Sequence, residues 1–256
     1  MERGYVDAHT HAYMLPKKDL ELMRLAGISD VVLCSFVPVA TYPETLMDHF
    51  EELEIVHYPR LREQGINAYL FVGIHPMSIP RDWKKLLPVI EEYISTGRAV
   101  GIGEVGLHTA SNLEVEVLRE QLKIVKEYEV PAILHIPPGD KRIEVVHKII
   151  ELISELKVDP GRVVIDHVSD DVIDIVNDAG AVPGLSIKPP LLTPERVAKN
   201  IEKYENGLLN SDCASLTDTD PLAVPRTVRY LKIHGIEGRV IEKLSYLNAQ
   251  KILKIK

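Results

Sequence analysis

Two histidines that are two residues apart, His9 and His11, lie near the start of the chain in the segment YVDAHTHAYM. Side chains at positions i and i+2 of an extended segment point to the same face, so both imidazoles could reach one metal ion. An isolated pair of this kind is more often two polar residues at the solvent-exposed end of a strand. The metal interpretation therefore depends on whether other ligand-type residues recur where a fold would bring them together.

Ligand-type residues do recur, at the ends of later apolar runs. His75, His135 and His167 each lie at or just past the C-terminal end of such a run. Glu104 and Asp212 occupy the same position in two others. The separations from His75 to Glu104, from Glu104 to His135 and from His135 to His167 are 29, 31 and 32 residues. Since a strand and helix with short loops need about 32 residues, the spacing follows a structural repeat.

Eight short apolar runs alternate with longer amphipathic stretches, a pattern typical of parallel strands joined by helices. The helical candidates include residues 43–65, 112–129 and 140–157, and two closing helices follow the last strand. Because no linker or charge block divides the 256 residues, we predict an α/β fold, a TIM (β/α)8 barrel, as a single domain over 1–256. A doubly wound open sheet is the alternative, although no glycine-rich phosphate loop follows the first strand. The predicted strands are residues 4–9, 30–36, 67–75, 99–104, 131–136, 162–168, 181–187 and 207–212.

In a β/α barrel the C-terminal ends of all the strands converge on one mouth, where active sites are built. The strand-end histidines and carboxylates would form a mixed nitrogen and oxygen donor set, which suits Zn, Mn, Fe or Ni better than Ca or Mg. The donors are numerous enough for two ions, and Glu104 on a central strand could bridge them. Two such ions would lower the pKa of a shared water and stabilise an anionic transition state.

Composition argues against several functional classes. The formal net charge of −8 is inconsistent with the broad basic surface that non-specific nucleic-acid or anionic-membrane binding needs. No apolar run is long enough to span a bilayer, and no signal-like segment precedes the first strand. The two cysteines, Cys34 and Cys213, cannot form a disulfide framework and are typical of reduced thiols. We expect a soluble, cytoplasmic protein without a membrane partner, and the sequence leaves its oligomeric state open.

Several motifs, in order along the chain, resemble those of one family. DAHTH (7–11) resembles the first-strand D-x-H-x-H of the amidohydrolase superfamily. GIHP (73–76) followed by VGIGEVGL (100–107) is similar to the TatD-type metal-dependent hydrolases. The resemblance continues through REQLKIVKEYEVPAILHI, IDHVS, GLSIKP and NSD to a C-terminal YLNAQKIL, so it spans essentially the whole chain. It implies a barrel hydrolase with a binuclear metal site.

The resemblance also implies a role for each candidate residue. Asp212 would take a proton from the attacking water, and Glu104 would bridge the two ions. His75 would line the pocket and orient the substrate, or would only brace its loop ahead of Pro76. Strand four offers Glu104 and no lysine, so a carbamylated-lysine bridge is not expected. The first ion would be bound by His9, His11, Glu104 and Asp212, and the second by Glu104, His135 and His167.

Three positions depart from the family pattern. His108 stands where an aspartate is usual, and it would be a ligand or proton carrier, or would mark a surface loop. The arginine that usually follows the fifth-strand histidine is replaced by the segment IPPGDKR (136–142). The eighth strand reads NSDCAS (210–215) in place of E-T-D-x-P. The predicted ligands are intact but the substrate wall differs, so the nuclease activity of some relatives does not transfer directly.

The favoured hypothesis is hydrolysis of a phosphoester by a metal-activated water, with a small molecule or a nucleic-acid end as substrate. Lys188, Lys141 and Arg142 lie in predicted loops beside strand ends and could contact an anionic substrate, although solvated loop charges are commoner. Hydrolysis of a small lactone, amide or ester is the alternative, because the same ions can polarise a carbonyl. A non-catalytic barrel that binds metal or a ligand is the alternative from another class. The general-base position of Asp212 argues against it, since metal storage would not require that residue.

Overall fold

The computed structural model describes residues 4–216 and 218–255. All eight predicted strands are present and form one parallel sheet in which each strand pairs with the next along the chain. This consecutive order overturns the doubly wound alternative, which requires the strand order to reverse. The strands are β1 (Tyr5–Thr10), β2 (Ile28–Cys34), β3 (Asn67–Val72), β4 (Gly101–Gly106), β5 (Ala132–His135), β6 (Val163–Ile165), β7 (Val182–Ser186) and β8 (Leu208–Asn210).

Backbone hydrogen bonds between the end of β1 and the segment after β8 close the sheet. The His11 N–H donates to the Cys213 carbonyl at 3.0 Å, and the Asp212 N–H donates to the His9 carbonyl at 3.0 Å. The closed sheet with intervening helices is a TIM barrel, as predicted. The closure places the first and the last predicted metal ligands on adjacent backbone segments.

The helices follow the predicted alternation. A π-helical segment, Leu53–His57, joins α2 to α3, so the predicted helix over 43–65 is continuous from residue 43 to 63. A second one, Lys243–Leu247, joins α11 to α12 in the predicted closing region. In the part of the chain that the structure describes, no helix has both the length and the apolarity to cross a membrane. The helices are α1 (Lys17–Leu25), α2 (Pro43–Glu52), α3 (Tyr58–Glu63), α4 (Leu87–Ser95), α5 (Asn112–Tyr128), α6 (Arg142–Leu156), α7 (Ile173–Asp178), α8 (Pro194–Lys199), α9 (Ile201–Tyr204), α10 (Ala223–Ile233), α11 (Gly238–Glu242) and α12 (Asn248–Ile252).

Two apolar clusters make up the core. The larger one combines strand residues such as Leu33 and Leu70 with helix residues such as Leu118, so it lies between the sheet and the helices. The smaller one draws residues such as Val32 and Phe71 from seven of the eight strands, which meet only in the barrel interior. The interior is therefore packed with side chains, and the polar site is built at the end of this core.

Candidate metal centre

The structure brings all six predicted metal ligands to the C-terminal mouth of the barrel. They come from β1, β4 and β5 and from the residues that directly follow β1, β6 and β8, and all of them are buried. Side chains from separate strand ends thus converge, as the strand-repeat spacing predicted. The six residues are His9, His11, Glu104, His135, His167 and Asp212.

Glu104 lies at the centre of the cluster, with its two oxygens facing different imidazoles. Its Oε1 atom lies 3.1 Å from both His135 Nδ1 and His167 Nε2. Its Oε2 atom lies 3.5 Å from the Nε2 atoms of His9, His11 and His75. A carboxylate between two sets of nitrogen donors has the arrangement needed to bridge two ions.

The carboxylates of the cluster are held in their ionised form. Burial alone raises the pKa of Glu104, but the charges of His9 and His75 and hydrogen bonds from further imidazoles outweigh it and lower that pKa well below its usual value. In Asp212 burial also raises the pKa, and His167, His11 and His9 lower it further than burial raises it. Both carboxylates are therefore available as metal donors. Because the imidazoles compete for the same carboxylates, metal binding would release protons.

The side chains fit a transition-metal ion. His9 Nε2 is buried, lacks a hydrogen-bond partner and lies 3.5 Å from Glu104 Oε2 and 3.8 Å from Asp212 Oδ1. A buried nitrogen without a partner is costly, and a metal ion between these three atoms would satisfy it. In each of two groups of residues, the donor atoms all lie within 4.8 Å of one another. The groups are His9, His11, Glu104 and Asp212, and His75, Glu104 and His135. The second set contains His75, whereas the family resemblance implied His167 beside Glu104 and His135.

Asp166, which was not predicted from the sequence, restrains the imidazoles of His9 and His167. The His9 Nδ1–H donates to Asp166 Oδ2. Ser186 Oγ lies 2.8 Å from His167 Nδ1 and donates to Asp166 Oδ1 at 3.0 Å, and Asn210 Nδ2 donates to the same oxygen at 2.9 Å. Burial raises the pKa of Asp166, but His167 and His9 together bring it down to about 2. Its only signal in the sequence was its position beside His167 at the end of an apolar run, and the alternation of side chains on a strand directs it to the opposite face from His167.

His11 is oriented by the loops after β1 and β2. Its Nδ1–H donates to the Cys34 carbonyl at 3.0 Å. The Tyr13 hydroxyl lies 3.1 Å from the same nitrogen and donates to the Phe36 carbonyl at 2.7 Å. This leaves His11 Nε2 facing Asp212 Oδ1 at 3.4 Å. A ring held through one nitrogen presents the other to an ion in a defined direction.

Two of the predicted ligands have left-handed backbone conformations, with φ of +59° at His167 and +43° at Asp212. The His167 carbonyl accepts a hydrogen bond from the Arg142 guanidinium. The residue before Asp212, Ser211, donates its N–H and its hydroxyl to the Asp7 carboxylate at 2.9 and 2.6 Å. Backbone conformations of this kind are costly outside glycine and are kept where surrounding contacts enforce them.

His75 and His108 extend the imidazole cluster. His75 Nδ1 accepts the Met77 N–H at 3.2 Å, while its Nε2 faces Glu104, so the predicted loop-bracing and pocket-lining roles are both present in the geometry. The His108 ring stacks on His135 with centroids 5.3 Å apart, and its Nδ1 lies 3.0 Å from His135 Nε2. His108 is thus part of the site and not merely a marker of a surface loop.

A pocket of about 400 Å³ opens above the cluster. Lys188 lines it and forms an ion pair with Asp212 Oδ2. Neither Lys141 nor Arg142 lines this pocket, so contact with an anionic substrate is not supported for either residue. The commoner interpretation of a solvated charge agrees with Lys141 but is wrong for Arg142, which begins α6. Lys141 is exposed, and Arg142 is buried with its Nε 3.2 Å from Asp171 Oδ2.

A family model for TatD-related DNases matches residues 6–254 of the chain. The chain belongs to the TatD-related DNase family. A metal-dependent hydrolase of Methanocaldococcus jannaschii, itself described as uncharacterised, is 34% identical to this TatD-related chain over 253 residues, which is 98% of this chain and 100% of that protein. The family and this relative identify the TatD-related chain as a metal-dependent hydrolase.

Solved structures agree with this assignment. A TatD-like protein from Archaeoglobus fulgidus is 31% identical to this TatD-related chain, with a TM-score of 0.84, over 98% of this chain and 100% of that one. A TatD homologue from Escherichia coli is 18% identical, with a TM-score of 0.71 and 98% of each chain covered, and shows the shared fold alone. The resemblance to TatD-type hydrolases that the motifs indicated is confirmed.

Proposed function

We propose that the protein hydrolyses phosphoester bonds with a metal-activated water at the barrel mouth. The observation that carries this proposal is the position of Asp212. Its Oδ1 faces His11 Nε2 at 3.4 Å and His9 Nε2 at 3.8 Å, on the side of the metal donors, whereas its Oδ2 contacts Lys188. A base and a cation thus lie side by side at the floor of a pocket, as attack of water on an anionic phosphoryl group requires.

The cofactors in this proposal are two divalent ions, Zn, Mn or similar. Such ions supply a water of lowered pKa and positive charge opposite the oxygen that becomes negative. His9, His11, Glu104 and Asp212 would hold one of them. Glu104, His135 and His167 would hold the other, with His75 also within reach of Glu104.

The remaining chemistry falls to the protein's own side chains. The ionised Asp212 accepts the proton of the attacking water. Lys188, which lines the pocket, binds a non-bridging oxygen of the substrate. His75, whose Nδ1 accepts the Met77 N–H, presents its Nε2 to the site and orients the substrate there. These groups orient the phosphoryl centre in front of the water.

Hydrolysis of a small lactone, amide or ester is the second candidate. The observation that favours it is the largely apolar lining of the pocket beyond the donor cluster, which would accept an uncharged substrate. Lys188 separates the two candidates, because a neutral carbonyl substrate does not need a cation beside Asp212.

The test is turnover by protein reconstituted with Zn or Mn on bis(p-nitrophenyl) phosphate, a lactone and an amide. Asp212→Asn is expected to lower kcat on the phosphodiester by about 10²–10⁴-fold while elemental analysis still finds bound metal. Asp178→Asn, a matched change at an exposed aspartate at the end of α7, should leave kcat unchanged. Wild-type turnover by Asp212→Asn would overturn the mechanism, and turnover of the lactone alone would select the second candidate.

Elemental analysis also tests the two-ion assignment. Protein purified without chelator is expected to hold up to two transition-metal ions per chain, and Glu104→Ala, which removes the bridge, should lower that number. His135→Ala should empty the second position preferentially. Metal content unchanged by both substitutions would contradict a binuclear site.

A further inference from the structure

The walls of the pocket above the metal donors are apolar. They are formed by loops that follow several different strands, so this character belongs to the whole opening and not to one loop. Among the described residues that line it, Lys188 is the only lysine or arginine. The apolar wall includes Phe36, Met77, Ile136, Pro138, Leu191 and Leu216.

Two of these apolar side chains are exposed to solvent at the rim of the pocket. Met77, after β3, and Leu216, after β8, are each 57% exposed, while Leu191, after β7, is buried at 7%. A single exposed apolar residue is ordinary on a protein surface. Here, however, the exposed pair continues the apolar lining of a pocket that ends at the proposed reacting centre. A substrate group covering them would bind more tightly, because it would remove their apolar area from water.

A nucleic-acid end would need different groups at this opening. Proteins position the phosphates that flank a scissile bond with lysine, arginine and backbone donors, and they stack bases on aromatic rings. The one lysine of the pocket is already paired with Asp212. The phenyl ring of Phe36 packs against His11 and His75, with centroids 5.6 and 4.8 Å away. Among the described residues that line the pocket, the cationic side chains thus match the charge of one phosphoryl group.

We propose that the substrate is a small phosphoester with a single phosphoryl group and an apolar, aryl-sized substituent, and not a nucleic-acid end. This inference rests on the proposed function. The phosphoryl group lies at the metal centre beside Lys188, and the substituent covers Met77, Leu191 and Leu216. A volume of about 400 Å³ is enough for one phosphoryl group and one ring, and it lies near the lower end of small-molecule sites.

Three phosphodiesters with the same p-nitrophenyl leaving group test the substituent directly. Their other group is phenyl, methyl or 5′-thymidyl, and each kcat/KM is divided by the uncatalysed rate of that ester to remove intrinsic reactivity. We expect the phenyl ester to exceed both others by at least about tenfold, which corresponds to about 1.4 kcal/mol of selective transition-state binding. Preference for the thymidyl ester, or processive digestion of a single-stranded oligonucleotide at comparable kcat/KM, would overturn the inference.

A substitution at the rim of the pocket tests whether its apolar wall causes the preference for the phenyl ester. Leu216→Ser is expected to lower the ratio of phenyl to methyl kcat/KM by about 3- to 10-fold, because it removes apolar area that only the phenyl group covers. Leu113→Ser is the matched control, since Leu113 is 47% exposed in α5 and does not line the pocket. An unchanged ratio in Leu216→Ser together with Met77→Ser would contradict the assigned wall.

Binding of substrate-like phosphonates separates this inference from the proposed function. Metal-loaded protein is expected to bind phenylphosphonate at least about tenfold more tightly than methylphosphonate or thymidine monophosphate, measured by isothermal titration calorimetry. If no phosphoester is turned over but this order holds, the proposed function fails and the apolar subsite stands. If phosphoesters are turned over but the three ligands bind equally, the proposed function stands and the inference fails.

Discussion

Asp166 accepts a hydrogen bond from Nδ1 of His9 and thereby turns Nε2 of the same ring toward Glu104 and Asp212. Through Ser186, the same carboxylate also restrains His167. A carboxylate behind a ligating imidazole fixes its tautomer and raises its basicity. One buried aspartate thus orients a proposed ligand of each proposed ion.

Asp166→Asn should therefore weaken metal binding while leaving every ligand in the chain. The amide keeps the size of the side chain but loses the negative charge opposite His9, and we expect affinity to fall by about 10- to 100-fold. Competition with a chromophoric chelator measures this. Asp178→Asn, at an exposed position, controls for the change in net charge. Equal affinities for the two variants would show that Asp166 does not act on the ligands.

Lys188→Met should separate anionic from neutral substrates. A hydrogen bond to a charged group contributes about 1.5–3 kcal/mol, so KM for a phosphodiester should rise by about 10- to 100-fold. A neutral lactone, which places no anion beside Lys188, should show a much smaller change. Lys141→Met provides the control, because Lys141 is exposed and does not line the pocket. An equal loss on both substrates would indicate that Lys188 acts only through its ion pair with Asp212.

His49, which is not one of the predicted metal ligands, should make folding stability depend on pH. Burial lowers the pKa of this imidazole from its ordinary 6.5 to about 4, against the opposing effect of Glu52. Between these two values the unfolded chain binds more protons than the folded one, so the free energy of unfolding rises as pH increases from 4 to 6.5. By linkage this contribution amounts to about 3 kcal/mol, and it is lost on acidification.

His49→Gln should therefore flatten the pH dependence of stability over that range. Guanidinium unfolding of chelator-treated protein at several pH values gives the slope. His147→Gln, which changes an exposed histidine of α6, should leave the slope as in the wild type. A variant at position 49 with the wild-type slope would contradict the assigned burial effect.

Cys34 and Cys213 should be unreactive in the native protein. Both thiols are buried, and burial raises the pKa of Cys34 to about 11 and that of Cys213 to about 12. Ellman's reagent at pH 8 should label neither thiol until guanidinium unfolds the chain, when both react. Ser95→Cys, at an exposed position, should add one thiol that reacts at once. Labelling of the native wild-type protein would show that one of the two sites opens locally.

The strand-end histidines could be predicted from the sequence because three constraints coincide there. Apolar runs marked the strands, the parallel barrel gave their ends a common location, and His75, Glu104, His135 and His167 follow the repeat length. Each residue type was also chemically unusual in its position. The barrel and the convergence of the predicted ligands could therefore be predicted from the sequence alone.

Asp166 could not be predicted because the alternation rule fails where it lies. Adjacent residues on a strand point to opposite faces, so Asp166 and His167 should diverge. However, β6 ends at Ile165 and the backbone turns at His167, where φ is +59°, so both side chains reach the donor cluster. For Arg142 the pattern predicted a loop cation that contacts an anionic substrate or solvent, and its burial against Asp171 could not be predicted because it depends on tertiary contacts.

The closure of the barrel also sets when during synthesis the protein can acquire its metal. His9 and His11 leave the ribosome first, but Asp212 follows some 200 residues later, and its backbone bonds to β1 form only when β8 is in place. A nascent chain thus carries His9 and His11 through most of translation without Asp212, the last residue of their proposed donor set. With the proposed donor set, the complete site for the first ion therefore exists only after most of the chain has been translated.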